Sequence, residues 1–311
     1  MKPNKKFVTI FDNENQIKQL LLDLVLEPRI KALEWSKITK QTPNMKVGYP
    51  GQHLASLVLG MEGAKTGARG NDIVDGSEVK SCSRVDQLDS CKDCNEKILR
   101  TETVCPSCKS KNIERMNDSK WLFTIRNEND LKVLTKDVDR IVLALADYPD
   151  FDKGNFEDLR FQVFEIWTKS ARNKHFITLM TNYYEKIYLS HKIKNPKKTP
   201  APKNFWPYSF QFYMCNPIKI LDCIVENANL NPQIIIKNYV SPLADRSKIN
   251  SENMPIAFLN KEELLLISQK TQIDLDKINT KLPFLSEKQR LSLSLRDTDR
   301  ISEAKQPYQR S

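Results

Sequence analysis

No stretch of this chain approaches the ~18 consecutive apolar residues that a membrane span requires. A disulfide framework is missing too. The seven cysteines are an odd number, and four of them fall into two C-x2-C pairs, which points to metal in a reducing compartment rather than a secreted scaffold. Cys82, Cys215 and Cys223 are scattered. Internal repeats and low-complexity tracts are absent. The N-terminal Met-Lys-Pro-Asn-Lys-Lys is not followed by an apolar run ending in a small-residue cleavage site, so a signal peptide is not expected. These absences lead to the expectation of a soluble cytoplasmic protein. Histidine is scarce, at three residues, and His53 reads as a surface or core histidine rather than a base.

What is present supports a folded core and an anionic partner. The chain has 311 residues and 40% apolar content, enough for one large domain or two ordinary ones. Its formal charge of +10 and pI near 9.1 favour nucleic acid, although a solvated basic surface has the same composition. Ile17, Leu20, Leu21, Leu24 and Val25 recur at helical spacing, and Pro28 should break or kink that helix. A second helix is expected from Pro50 to Met61, then a loop over 63–70 and a hairpin over 71–82. Trp121–Ile125, Arg140–Leu145 and Arg160–Trp167 read as strands, 171–192 as a helix, and 192–204 as a basic loop. The aromatic run Phe205–Tyr213 reads as a strand with a mostly buried face. Residues 260–296 read as two or three short helices, with Ser286 and Gln289 at capping-box spacing. The last ~15 residues are polar and should fray.

The stretch Asn71-Asp-Ile-Val-Asp-Gly-Ser-Glu-Val-Lys80 concentrates the chemistry. A divalent ion that cleaves a phosphodiester needs carboxylates to fix it, and a nearby lysine can position water and neutralise developing charge. Side chains alternate along a strand, so Glu78 and Lys80 project to one face. Asp72 joins them only in one register. A two-residue Asp75-Gly76 turn turns Asp72 away, whereas a three-residue Val74-Asp75-Gly76 loop with left-handed Gly76 brings it opposite Glu78. Asp75 before glycine is ordinary turn chemistry, and it is also the rival acid. An edge hairpin with a surface ion pair is the alternative to catalysis.

Cys91, Cys94, Cys105 and Cys108 form C-x2-C, ten residues, C-x2-C, a spacing suited to structural Zn2+. A closed shell of four thiolates leaves no place for a substrate water, so the metal would be structural. The module carries Lys92, Lys97, Arg100, Lys109, Lys111 and Arg115. Of these, Lys92, Lys97, Lys109 and Lys111 are candidates to contact a nucleic-acid backbone. Arg69 and Arg84 flank the carboxylates and are candidates to clamp phosphate.

Asp72 followed by Glu78-Val-Lys80 resembles the catalytic pattern of the PD-(D/E)xK nucleases. The longer run from Thr66 to Gln87, leading into Cys91-Lys-Asp-Cys94, resembles the MamI type of type II restriction endonucleases. The resemblance covers roughly residues 48–125, and the proline of the superfamily name is replaced by Asn71. It implies an α/β (α+β) restriction-endonuclease-like core with a central mixed sheet, an inserted zinc ribbon and a helical C-terminal subdomain. The division expected is 1–195 for the N-terminal helices and nuclease core, with the ribbon at about 88–115, and 196–311 for a C-terminal subdomain serving DNA contact or dimerisation. The resemblance further implies Mg2+ bound by Asp72 and Glu78, with Glu62 and the Val79 carbonyl as further candidate ligands. Lys80 would be the catalytic lysine, the substrate double-stranded DNA, and the assembly a homodimer. A non-catalytic zinc-ribbon DNA-binding protein remains open, as does a structure-specific or RNA-directed nuclease on the same fold.

Overall fold

The computed structural model describes residues 1–43, 45–65 and 71–296. In chain order the elements are α1 (Asn13–Leu21), α2 (Glu27–Thr39), α3 (Gly48–Leu59), β1 (Glu78–Ser83), β2 (Asp89–Cys91), β3 (Lys97–Ile98), β4 (Ile113–Glu114), β5 (Trp121–Phe123), α4 (Glu128–Lys132), β6 (Arg140–Asp147), β7 (Leu159–Trp167), α5 (Lys174–Asn182), α6 (Leu189–Lys194), β8 (Lys203–Phe205), α7 (Phe210–Met214), β9 (Ile218–Glu226), β10 (Gln233–Tyr239), β11 (Met254–Pro255), α8 (Lys261–Thr271), α9 (Leu275–Lys281), β12 (Phe284–Leu285) and α10 (Glu287–Leu291).

Five strands form the central sheet in the order β1-β6-β7-β9-β10. β1 runs parallel to β6, and every other neighbour is antiparallel, so the sheet is mixed. All eight residues of β6 are buried, as its nearly unbroken apolar sequence demands of a strand covered on both faces. Alternation along β6 divides the core. Val142, Ala144 and Ala146 pack with Ile17, Leu21, Leu54 and Val58 of α1 and α3. Ile141, Leu143 and Leu145 pack with Phe176, Phe205, Phe212, Ile267 and Leu285 on the opposite face. Among the described residues no helix is long and apolar enough to cross a membrane.

Several expectations change on contact with the fold. Pro28 does not end the first helix. A wide turn at Leu22–Leu26, in which the Glu27 N–H reaches the Leu22 carbonyl, shifts the ladder so that Pro28 falls in the first turn of α2, where its missing N–H costs nothing. The run Phe205–Tyr213 is not one strand. β8 pairs with β5, and Ser209 then caps α7 by accepting the Phe212 N–H at 3.2 Å. Its aromatics are nonetheless buried. The division at 195 also fails, because β9 and β10 complete the central sheet from beyond it. Among the described residues three short helices follow residue 260, and the Ser286–Gln289 capping box forms. The polar tail beyond 296 lies outside the described residues.

Candidate active site and metal centre

The chain between α3 and β1 makes a tight turn. The Gly76 N–H bonds the Ile73 carbonyl at 2.9 Å, and the Ser77 carbonyl accepts from Asp72 at 3.1 Å and Ile73 at 3.2 Å. Gly76 has φ +88°, which a glycine adopts without strain. The loop is therefore the three-residue Val74-Asp75-Gly76 form. The expected hairpin is only half realised: β1 is a strand, whereas the segment before it meets Gly63 through a single bridge at Ile73.

This turn places the Asp72 carboxylate against β1. Its Oδ2 accepts the Val79 N–H at 2.8 Å, and its Oδ1 accepts Gln52 Nε2 at 2.8 Å. On the same strand the Lys80 ammonium pairs with the Glu78 carboxylate. Burial pushes the Glu78 carboxyl above its ordinary range and Asp72 adds to the rise, although Lys80 opposes both. The Val79 N–H that Asp72 accepts lies between Glu78 and Lys80, so the turn fixes this carboxylate at the stretch of β1 that carries both. Asp72, Glu78 and Lys80 are therefore brought together.

Gly51 explains how α3 reaches this strand. A Cβ built there would lie 2.0 Å from Ser81 Oγ and 2.8 Å from Ser81 Cβ, so only glycine allows the approach. The next residue is Gln52. A cleft of about 320 Å3 opens beside Asp72, lined by Tyr49, Gln52, His53, Ser56, Gly63 and Lys65. Tyr49, Gln52, His53 and Ser56 follow the i, i+3, i+4, i+7 spacing of one helix face. A larger cleft of about 840 Å3 lies between the cysteine module and the core, but it is remote from these carboxylates in chemistry: its Arg29 and Arg115 are already paired to Asp86 and Asp89.

Asp75 has a different setting. Its Oδ1 accepts the Ser77 N–H at 3.1 Å, and its Oδ2 pairs with Arg140 Nη2 at 2.5 Å. The same guanidinium donates to Ser77 Oγ at 2.9 Å and to Glu165 at 2.9 Å. Glu165 is wholly buried and also receives Arg246 at 3.1 Å and Trp167 Nε1 at 2.8 Å. Burial alone would raise the Glu165 carboxyl, yet Arg140 and Arg246 outweigh it and hold the group below the usual range. Asp75 is thus the outer end of a buried charge network that anchors the turn.

The remaining candidates divide. The Glu62 side chain is exposed, with a 3.5 Å contact from Thr9 Oγ1, while its carbonyl accepts the Val74 N–H at 3.1 Å. Among the described residues Glu62 does not complete a cluster of three metal-type ligands with Asp72 and Glu78. Arg69 lies outside the described residues. Arg84 is a correction: it is 4% exposed, donates to the Pro207 carbonyl at 3.0 Å and lies over the Tyr208 ring, so it pins the end of β1 to the core rather than facing phosphate.

The four cysteine sulfurs lie within 4.8 Å of one another, with Cys91–Cys108 and Cys94–Cys105 both at 3.6 Å. Tetrahedral Zn–S bonds of about 2.3 Å put sulfurs about 3.8 Å apart, so the donor set fits zinc. Both knuckles are built alike. The Asn95 N–H returns to the Cys91 carbonyl and the Lys109 N–H to that of Cys105, at 2.9 and 3.0 Å, and both residues have positive φ. Backbone N–H groups of Cys108 and Ser107 pull the Cys105 thiol down to about 7, while the neighbouring sulfurs push the Cys94 thiol up to about 12 and the Cys108 thiol above its ordinary value, so the four thiols titrate as one set. β3-β2-β4 form the module's sheet. Lys92, Lys97, Lys109 and Lys111 are exposed. Arg100 and Arg115 instead turn inward and pair with fully buried Asp89 at 3.1 and 2.7 Å.

Comparison with known proteins falls in the class of restriction endonucleases. More narrowly, this chain belongs to the MamI restriction endonuclease family, whose profile matches residues 34–257. It is similar to the type II restriction enzyme MamI of Microbacterium ammoniaphilum, with 34% identity over 73 residues. That alignment covers 24% of this chain and 24% of that enzyme. No solved structure matches the chain.

Proposed function

We propose that the protein is a type II restriction endonuclease. It would hydrolyse double-stranded DNA at a specific palindromic or interrupted palindromic sequence, using Mg2+ on a PD-(D/E)xK core. The observation that carries this reading is the gathering of Asp72, Glu78 and Lys80 on β1 and the turn before it, in a chain of the MamI family.

The residues suit a divalent ion. Two carboxylates share a partly buried site in which ionisation of Glu78 is penalised, and a cation supplies the missing counter-charge. Mg2+ is held by one or two carboxylates with water and substrate oxygens completing the shell, which fits a pair better than a cage. Asp72 and Glu78 would hold it, with the Val79 carbonyl and Glu62 as further oxygen donors. Bound there, Mg2+ supplies the charge that polarises the scissile phosphate and lowers the pKa of an attacking water. Lys80 directs its N–H donors at that water and at charge developing on phosphate. The cleft along α3 receives the scissile strand, with Lys65 and Tyr49 on its walls.

Zn2+ would be held by Cys91, Cys94, Cys105 and Cys108 as a structural ion. The ribbon stands eleven residues from Lys80 at Cys91, within ~40 Å even fully extended. Its exposed Lys92, Lys97, Lys109 and Lys111 then meet the DNA backbone beside the cut. Cutting both strands takes two such sites, so the working form is a homodimer whose two-fold axis matches the DNA. A cytoplasmic location goes with this role. The test is plasmid digestion with and without Mg2+: wild type cuts, and Asp72→Ala and Lys80→Ala bind DNA without cutting. Cleavage by both variants at the wild-type rate refutes the assignment.

A further inference from the structure

The nuclease reading uses Asp72, Glu78 and Lys80 but leaves unexplained why Asp72 faces them. Asp72 belongs to no strand. Its segment is a turn, and a carboxylate on a turn has no intrinsic reason to hold one rotamer. Two donors fix it: the Val79 N–H on Oδ2 and Gln52 Nε2 on Oδ1, each at 2.8 Å. The first belongs to the catalytic strand itself. The second comes from another element, α3, twenty residues earlier in the chain.

We infer that Gln52 is a positioning residue for Asp72, one that sets the metal-facing geometry of the site from α3. This rests on the assignment of Asp72 as a metal ligand. Three features support it. The helix is seated on β1 at Gly51, where any larger residue would meet Ser81, so the adjacent Gln52 reaches Asp72 from a fixed base. Gln52 is half-buried and lines the same cleft as Asp72, so its amide sits at the wall of the site. The chemistry of the side chain is also selective. Asp72 and Glu78 already repel, so a carboxylate at position 52 would add a third negative charge, and an ammonium would compete with the cation. A neutral amide donates to Asp72 without either effect, and it leaves the outward lone pairs of Asp72 for a metal.

Hydrogen-bond partners of metal ligands are worth roughly 10–100-fold in metal affinity or activity. The substitution that isolates this is Gln52→Met, which keeps length and packing but removes the donor. The full chain is titrated with Mg2+ in a cleavage assay, with DNA affinity measured separately in metal-free buffer. The Mg2+ concentration for half-maximal rate should rise roughly tenfold or more, with thermal stability unchanged and any change in metal-free DNA affinity much smaller than that rise. Wild-type Mg2+ dependence in Gln52→Met overturns the inference. So does a lower maximal rate at unchanged Mg2+ dependence, since that is the mark of a merely structural contact. Asp72→Ala serves as the control. If it still cleaves, the underlying site assignment is wrong. If it is inactive while Gln52→Met behaves as wild type, only the role of Gln52 is wrong.

Discussion

Replacing Asp75 by alanine separates the two acids of the turn. Asp75 Oδ2 pairs with Arg140 at 2.5 Å, and the side chains are 13% and 1% exposed. Breaking a buried ion pair from one side typically costs about 3–5 kcal/mol, because the surviving charge is left uncompensated. Here the loss should be smaller. Arg140 keeps Glu165 at 2.9 Å and Ser77 Oγ at 2.9 Å, and Asp75 is partly open to water. About 2 kcal/mol is a reasonable expectation on that ground. With an unfolding entropy of about 2.1 cal/mol/K per residue over 311 residues, the melting temperature should drop by about 3 °C. Asp75→Asn retains an acceptor for the Ser77 N–H and should lose less. Calorimetry and urea denaturation read the stability, and cleavage is then measured per folded molecule. Mg2+-dependent activity should persist in both variants, whereas Asp72→Ala should be stable and inactive. An Asp75→Ala protein with wild-type stability and no cleavage would refute the reasoning, making Asp75 the ligand and its pair with Arg140 incidental.

Other expectations follow from the same geometry. Folding raises the Glu78 carboxyl above its ordinary range, so its contribution to stability is present below the unfolded pKa and lost as pH rises through the folded one. Metal-free Glu78→Gln should therefore melt higher than wild type at pH 7 and show no Mg2+-induced rise in melting temperature; a lower melting temperature would contradict this. Mg2+ and protons compete for the Glu78 carboxylate, so the Mg2+ concentration for half-maximal cleavage should rise on acidification, and a Mg2+ requirement independent of pH would argue against ionised Glu78 as a ligand. One zinc per chain should be found by elemental analysis, also in Asp72→Ala, and Cys105→Ser should lose it together with protease resistance over 92–112. Zinc-free protein with an intact ribbon would exclude a structural metal. Changing Lys92, Lys97, Lys109 and Lys111 to alanine should flatten the slope of log K against log salt by about 0.9 for each lost phosphate contact and leave the cut sequence unchanged. An unchanged slope would make the ribbon a folding module without DNA contact.

Much of the site was legible because it is local. Gly76 marks the turn, although the choice between its two registers came only from the backbone bonds around Ser77, the strand period sets Glu78 beside Lys80, and the cysteine spacing closes a knuckle within a few residues. β6 was legible for the same reason, since its apolar run leaves only a doubly covered strand. The misreadings share the opposite property. Arg84 looks like a basic residue beside the site, yet it is buried by the Pro207 carbonyl, 123 positions away. β9 carries Lys219 and Asp222 at half-buried positions, where they pair with each other at 3.0 Å, and this blurs the alternation that would have marked a central strand. The run ending at Tyr213 has strand composition throughout, but Ser209 caps a helix within it. Gln52 gives no signal of its own in the sequence; its meaning depends on where Gly51 seats a helix.

The central claim is that Asp72, Glu78 and Lys80 make this chain a site-specific, metal-dependent DNA nuclease. Sequencing the ends released from a large, mixed-sequence DNA by the wild-type protein in Mg2+ tests it most directly. The account predicts breaks in both strands confined to one short symmetric sequence, absent without Mg2+ and absent with Lys80→Ala. Uncut DNA, breaks scattered without regard to sequence, or the same fragments from Lys80→Ala would contradict it.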